Sequence, residues 1–338
     1  MNTISTASTP VSEAVQARLE KIQEAGIRLD EHQLVIPDWN RTVRSRLAPT
    51  LNDIRGRIIE SLRQGQHVLY VPGSYDLVHA GHASYILEGI ETYLKQEGIT
   101  RDQLYVVALA DDDELIRAVK PPHFKAMSRN QASVGDEHPR PIECDELFRF
   151  VTGSRSPRLI DLASLPVDLV GHLPSPSHFE KTLHDPLFTS WLKRARCIAH
   201  MNGSRPESED QKKLDMILQR IETGRFAEIL EDFSKTKYNL FAPHEQRRWD
   251  VGSWQFLLHL YIGDVHQSAD TRPYVRMISE HDVQYKDVVA ESMRLCGINP
   301  HFVNDTPVVS TTALLAKHGW ENLYRAKQAH FRDLDIAP

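Results

Sequence analysis

Two histidines three positions apart, His79 and His82, stand at the end of the run Val68-Leu-Tyr-Val-Pro-Gly-Ser-Tyr-Asp-Leu-Val-His-Ala-Gly-His82. The run is apolar up to Gly73, and beyond it Ile86, Leu87, Ile90, Tyr93 and Leu94 repeat at the three-and-four spacing of one helix face. The spacing therefore predicts a strand, a tight turn and the mouth of a helix. At such a mouth unpaired backbone N–H groups and the positive end of the helix dipole favour an anion. Gly73 and Gly81 allow backbone to approach a ligand closely, and two imidazoles at the entrance can both address one phosphoryl group. In a chain with 17 histidines either ring alone is more often a surface or capping residue; the combination with glycines and helix mouth is what points to phosphate chemistry.

A second candidate block is Ser310-Thr311-Thr312, placed where a helix rich in Ala and Leu begins. Hydroxyls there either cap orphan backbone donors, the commoner use, or bind phosphate. Asp111 opens an acidic run at the end of the apolar stretch Leu104–Ala110, where carboxylates suit a helix dipole or a nucleotide site equally. Asp76 reads more readily as a turn stabiliser than as a direct participant.

The elements that must position these groups alternate. Strands are predicted at 67–71, 104–110, 167–171, 274–278 and 301–303, with helices at 82–96, 112–119, 157–164 and 286–296 between them. Continuously apolar strands such as Leu104–Ala110 belong to a parallel sheet covered on both faces. The fold class is therefore α/β, a doubly wound parallel sheet of Rossmann-like type with ligands at the carboxyl ends of its strands. Residues 1–64 read as an N-terminal helical extension, with helices over 11–29 and 43–62; 65–172 and 273–320 as the two halves of a split domain; 173–272 as a helical insertion; and 321–338 as a C-terminal tail. The insertion is too long for a plain connection and is expected to form a lobe beside the pocket mouth, shaping a second-substrate site or burying a homodimer contact.

At 338 residues the chain can bury a substantial core. A formal net charge of −6 argues against nucleic acid as the main partner. Nothing approaches a membrane span and Met1–Pro10 lacks a secretory layout, so a cytoplasmic location is the default expectation. Cys144, Cys197 and Cys296 lack the paired spacing of a zinc site, and no side chain is assigned to a metal.

Gly-Ser-Tyr-Asp-x-x-His-x-Gly-His resembles the signature of the HxGH nucleotidyltransferase superfamily. The order of that block, Val-Ala-Leu-Ala-Asp-Asp-Asp-Glu with Lys120 after it, Arg140-Pro-Ile142, Val167-Asp-Leu-Val170 and Val309-Ser-Thr-Thr-Ala-Leu-Leu-Ala-Lys317 is similar to the sugar-phosphate (heptose 1-phosphate) adenylyltransferase domain. Ethanolamine-phosphate and glycerol-phosphate cytidylyltransferases share the first half. The resemblance implies transfer of a nucleotidyl group from ATP or CTP, with Mg²⁺, to a phosphorylated small molecule and release of pyrophosphate. It implies catalytic roles for His79, His82 and Lys120, and nucleotide binding by Gly73, Ser74, Tyr75, Gly81, Asp111, Arg140, Asp282, Ser310, Thr311 and Thr312. The family's Lys-Gly-x-Asp turn stands here as Ser279-Glu-His-Asp282, without its lysine, and the loop from Lys120 to Arg140 is longer. Two alternatives fit the histidine motif: an ATP-dependent carboxylate-activating ligase of the same superfamily, and a nucleotide-binding regulatory protein without turnover.

Overall fold

The computed structural model describes residues 13–75, 77–111, 157–174, 186–188, 190–191, 258–259, 261–264, 274–279, 298–304 and 308–332. Numbered over these residues, the elements are α1 (Glu13–Glu24), α2 (Arg41–Arg46), α3 (Leu51–Arg63), β1 (His67–Gly73), α4 (Ala80–Glu97), β2 (Leu104–Asp111), α5 (Pro157–Ala163), β3 (Leu169–Leu173), β4 (Tyr274–Ser279), β5 (Asn299–Val303), α6 (Thr311–His318) and α7 (Trp320–Arg332). The strands form one parallel sheet in the order β3-β2-β1-β4-β5. Each predicted strand is present, most of them a residue or two longer. The predicted helices at 112–119 and 286–296 lie outside the described residues.

Alternation along the strands divides the core. Leu69 and Val71 of β1, Val106, Ala108 and Ala110 of β2, and Val275 and Met277 of β4 share one cluster with Ile22 of α1 and Ala83, Ile86 and Ile90 of α4. A side chain at Gly89 would collide with Met277, so its absence lets α4 lie close against the sheet. On the other face α3 closes in over Gly171, where an added Cβ would fall 2.4 Å from Ile54 Cδ1. Tyr70 and Tyr274 face the same way and meet His259. α1 is tied to α4 by Arg18–Glu88 at 3.1 Å and Lys21–Glu91 at 2.6 Å.

Three expectations need correction. The helix expected over 43–62 is two helices, because Pro49 lacks an N–H and pushes its predecessor out of helical geometry. Asn40 and Thr50 cap the two pieces, accepting from the N–H groups of Val43 and Asp53. Between the helices Leu47 bridges to Val170 and the Ala48 N–H donates to the Val170 carbonyl, so the extension blunts the exposed edge of β3. The helix expected over 11–29 stops at Glu24, where Gly26 turns the chain at φ 77°.

The third concerns the C-terminal segment, expected only as a tail. The tail is helical through Arg332, and Lys327 within it is buried, donating to the Val35 carbonyl and to Asp161 Oδ2, each at 2.7 Å. The described parts of 173–272 lie on the sheet and α3. Phe188, Trp191, Leu258, Tyr261 and Ile262 are buried, the Tyr261 hydroxyl donates to Asn52 Oδ1 at 2.9 Å, and Asp264 pairs with Arg55 at 2.8 Å. A two-layer sheet with apolar faces needs cover on both sides, and these residues supply it where α3 does not reach.

Candidate functional site

β1 ends at Gly73, and the chain then takes an uncommon turn. Tyr75 adopts a left-handed backbone, φ 47°, which a bulky side chain seldom holds unless its surroundings enforce it. Here the ring is 2 % exposed and its hydroxyl donates to the Val71 carbonyl at 3.2 Å. A Cβ on Gly73 would come within 2.9 Å of that ring, so Gly73 serves Tyr75 directly. Burial pushes the Tyr75 phenol well above its ordinary range, so it stays neutral. Its ring lies 5.1 Å from that of His82, which it supports from below the open end of the sheet.

His79 is the N-cap of α4, in extended geometry. Its Nδ1 accepts the Gly81 N–H at 3.1 Å, His82 Nδ1 accepts the His79 N–H at 3.4 Å, and the two rings stack with centroids 4.0 Å apart. An Nδ1 that accepts holds no proton, so each ring is a neutral imidazole with its proton on Nε2. The pair therefore offers N–H donors. His79 Nε2–H is directed at Thr311 Oγ1, 3.2 Å away and 232 positions on in the chain.

Thr311 opens α6. Ser310 is its N-cap and is exposed; its hydroxyl accepts the Ala313 N–H at 3.1 Å, the capping use of such a residue. Of Thr312 only its place in the first turn is described. The mouths of α4 and α6 are pressed together: a Cβ on Gly81 would lie 2.1 Å from the Val309 carbonyl oxygen. Two helix N-termini thus meet at the end of β1, each with a positive dipole end, although the first N–H groups of α4 are taken by the Gln33 carbonyl, His79 Nδ1 and the His79 carbonyl. Residues near 73–82 and 310–317, both singled out for phosphate chemistry, thus converge.

The place in the sheet matters as much. β2 and β3 extend from β1 to one side, β4 and β5 to the other, so the order reverses beside β1, where open parallel sheets leave a crevice. Just past β1 the Ser74 carbonyl accepts from Arg158 Nη1 at 2.8 Å. The same nitrogen donates to the Asp111 carbonyl at 3.0 Å. Arg158 is 1 % exposed and ties the carboxyl ends of β1 and β2 together. Asp111 is buried at the end of β2.

Lys120, Arg140, Asp282 and Asp76 lie outside the described residues. Sequence reasoning gave no role to Arg158 or to Arg276 of β4. The available signal was an arginine in each of two otherwise apolar runs, Arg158-Leu-Ile and Tyr274-Val-Arg-Met-Ile, where burial without a partner would be costly.

No family model matches the chain, and neither a curated protein nor a solved structure matches it. Among the described residues no helix is long and apolar enough to cross a membrane.

Proposed function

We propose that the chain is a nucleotidyltransferase, moving a nucleotidyl group from ATP or CTP to a phosphorylated small molecule with release of pyrophosphate. The strand order supports a doubly wound, Rossmann-like sheet as its frame. The observation that carries the reading is the His79 Nε2 to Thr311 Oγ1 contact of 3.2 Å, which joins two helix mouths at the crevice beside β1. A triphosphate is the ligand such a pair of mouths suits, because its charge can be shared between two positive dipole ends.

An acceptor phosphate is itself a nucleophile, so the reaction needs no protein nucleophile. Its oxygen attacks the α-phosphorus in line, the bond to the bridging oxygen breaks, and pyrophosphate leaves. Negative charge grows on the bridging and equatorial oxygens. The Nε2–H of His82 and the first amides of α6 would be donors for that charge, of a kind worth about 3–4 kcal/mol in the transition state, and His79 Nε2–H, held by Thr311 Oγ1, would be shared with a phosphate oxygen. Nδ1 of each ring is held by a backbone N–H, which fixes the orientation of both rings.

Among the described residues no three potential metal ligands gather in one place. Mg²⁺ commonly binds through substrate phosphates and one or two carboxylates, and Asp111, buried at the end of β2, is a carboxylate suited to that share. Bound with the triphosphate, the ion neutralises phosphate oxygens. The test is incubation with each of the four ribonucleoside triphosphates, Mg²⁺ and a panel of phosphorylated sugars and alcohols, following pyrophosphate. Release that depends on one triphosphate and one acceptor class is expected; folded protein that releases none across the panel rejects transfer.

A further inference from the structure

On the sheet face opposite α4, three polar side chains are sealed in without the partners their chemistry requires. Tyr70 of β1 and His259 are both fully buried, and their rings meet edge to face with centroids 4.6 Å apart. Arg276 of β4 is the register partner of Tyr70, and its Nη1 lies 3.4 Å from His259 Nδ1. A guanidinium only donates, so Nδ1 accepts and the imidazole proton sits on Nε2. Burial and the neighbouring Arg276 hold the His259 pKa well below the usual histidine range, so the ring is neutral.

Among the described residues the Tyr70 hydroxyl, His259 Nε2 and Arg276 Nε have no hydrogen-bond partner. All three are donors, and one carries a fixed positive charge. Among the described residues no acceptor balances them: Asp111 raises the Arg276 pKa by its field, against the larger effect of desolvation. Such an imbalance is costly in a protein by itself, since a buried cation needs a paired anion. It is corrected by a ligand that brings oxygen acceptors and negative charge. Access is compatible with this, because Arg276 as a residue keeps partial exposure while its Nε is sealed.

We propose that Arg276, Tyr70 and His259 form a second anion-binding site that takes an oxyanion, phosphate or carboxylate, of a small-molecule ligand. Assigning that oxyanion to the acceptor rests on the nucleotidyltransferase reading; the site itself does not. The test titrates the full chain with inorganic phosphate and, separately, acetate, by calorimetry, in wild type and in the Arg276→Met and Tyr70→Phe variants. At least tenfold weaker binding of one of the two anions in Arg276→Met is expected, with several-fold weakening in Tyr70→Phe and triphosphate binding unchanged. Preference for phosphate or for acetate names the group bound. Arg276→Met should melt no lower than wild type, because it removes an unpaired buried charge; a merely structural arginine would instead leave a destabilised protein. Superimposable titrations in wild type and both variants overturn the site. Should wild type transfer nucleotide while Arg276→Met keeps the acceptor KM, the assignment to the acceptor falls and the transfer stands. Anion binding lost in Arg276→Met by a protein that releases no pyrophosphate keeps the site and rejects the transfer.

Discussion

Lys327 Nζ lies 2.7 Å from Asp161 Oδ2, and both side chains are only 3 % exposed. The pair pins α7 to α5, and the same ammonium holds the Val35 carbonyl, so one cation joins three distant parts of the chain. Removing one partner of a buried pair strands the other charge. Lys327→Met should therefore cost about 3–5 kcal/mol in denaturant unfolding. Lys327→Met with Asp161→Leu should recover much of that, which a stability comparison of the single and double variants checks.

Desolvation pushes the Asp161 carboxyl up to about 6, against the lowering by Lys327 beside it. With a folded pKa above the unfolded one, the folded state binds the proton more tightly. The contribution of this group to stability is therefore fully present below about pH 4 and lost as pH rises through about 6. Melting temperatures measured from pH 4 to 7 should show this fall in wild type and a flatter profile in Asp161→Asn.

Replacing His79 or His82 by Ala should lower kcat about a hundredfold or more while circular dichroism stays that of wild type, since each removes a preorganised donor. Thr311→Val, which keeps the shape and deletes the hydroxyl that meets His79, should cost roughly tenfold, about 1.4 kcal/mol. Turnover unchanged in all three would reject the roles given to these residues.

Gly81→Ala tests the joint between α4 and α6. Its Cβ would fall 2.1 Å from the Val309 carbonyl oxygen, a backbone atom that cannot swing aside. The two helix mouths must separate, at a cost of about 1–3 kcal/mol typical of overpacking. Triphosphate affinity should drop with stability, whereas Gly56→Ala, in open space on α3, should leave affinity unchanged.

The sheet was legible because its strands carry unbroken apolar runs and its helices a clear three-and-four spacing. The meeting of His79 with Thr311 was legible because both stand before helices that follow strands. Pro49 was visible as a break but was outweighed by the spacing of Leu47, Leu51 and Ile54 around it. Helix α7 was hidden by its buried face, where Lys327 and partly buried His330 stand beside Leu323; an ion pair makes that face inward, and no hydropathy pattern displays an ion pair. Arg158 and Arg276 were opaque for the same reason, since their settings are made by Ser74, Asp111, Tyr70 and His259 from other parts of the chain.

Because Gly81 abuts Val309 and His79 meets Thr311, the cradle is split across the order of synthesis. A nascent chain that has emerged as far as α4 carries the histidines but only one of the two helix mouths. The other arrives more than two hundred residues later. On the proposed function, tight hold on a polyphosphate would be a late event, reserved for a chain whose closing helices have docked, and a product cut short before Ser310 would bind nucleotide poorly.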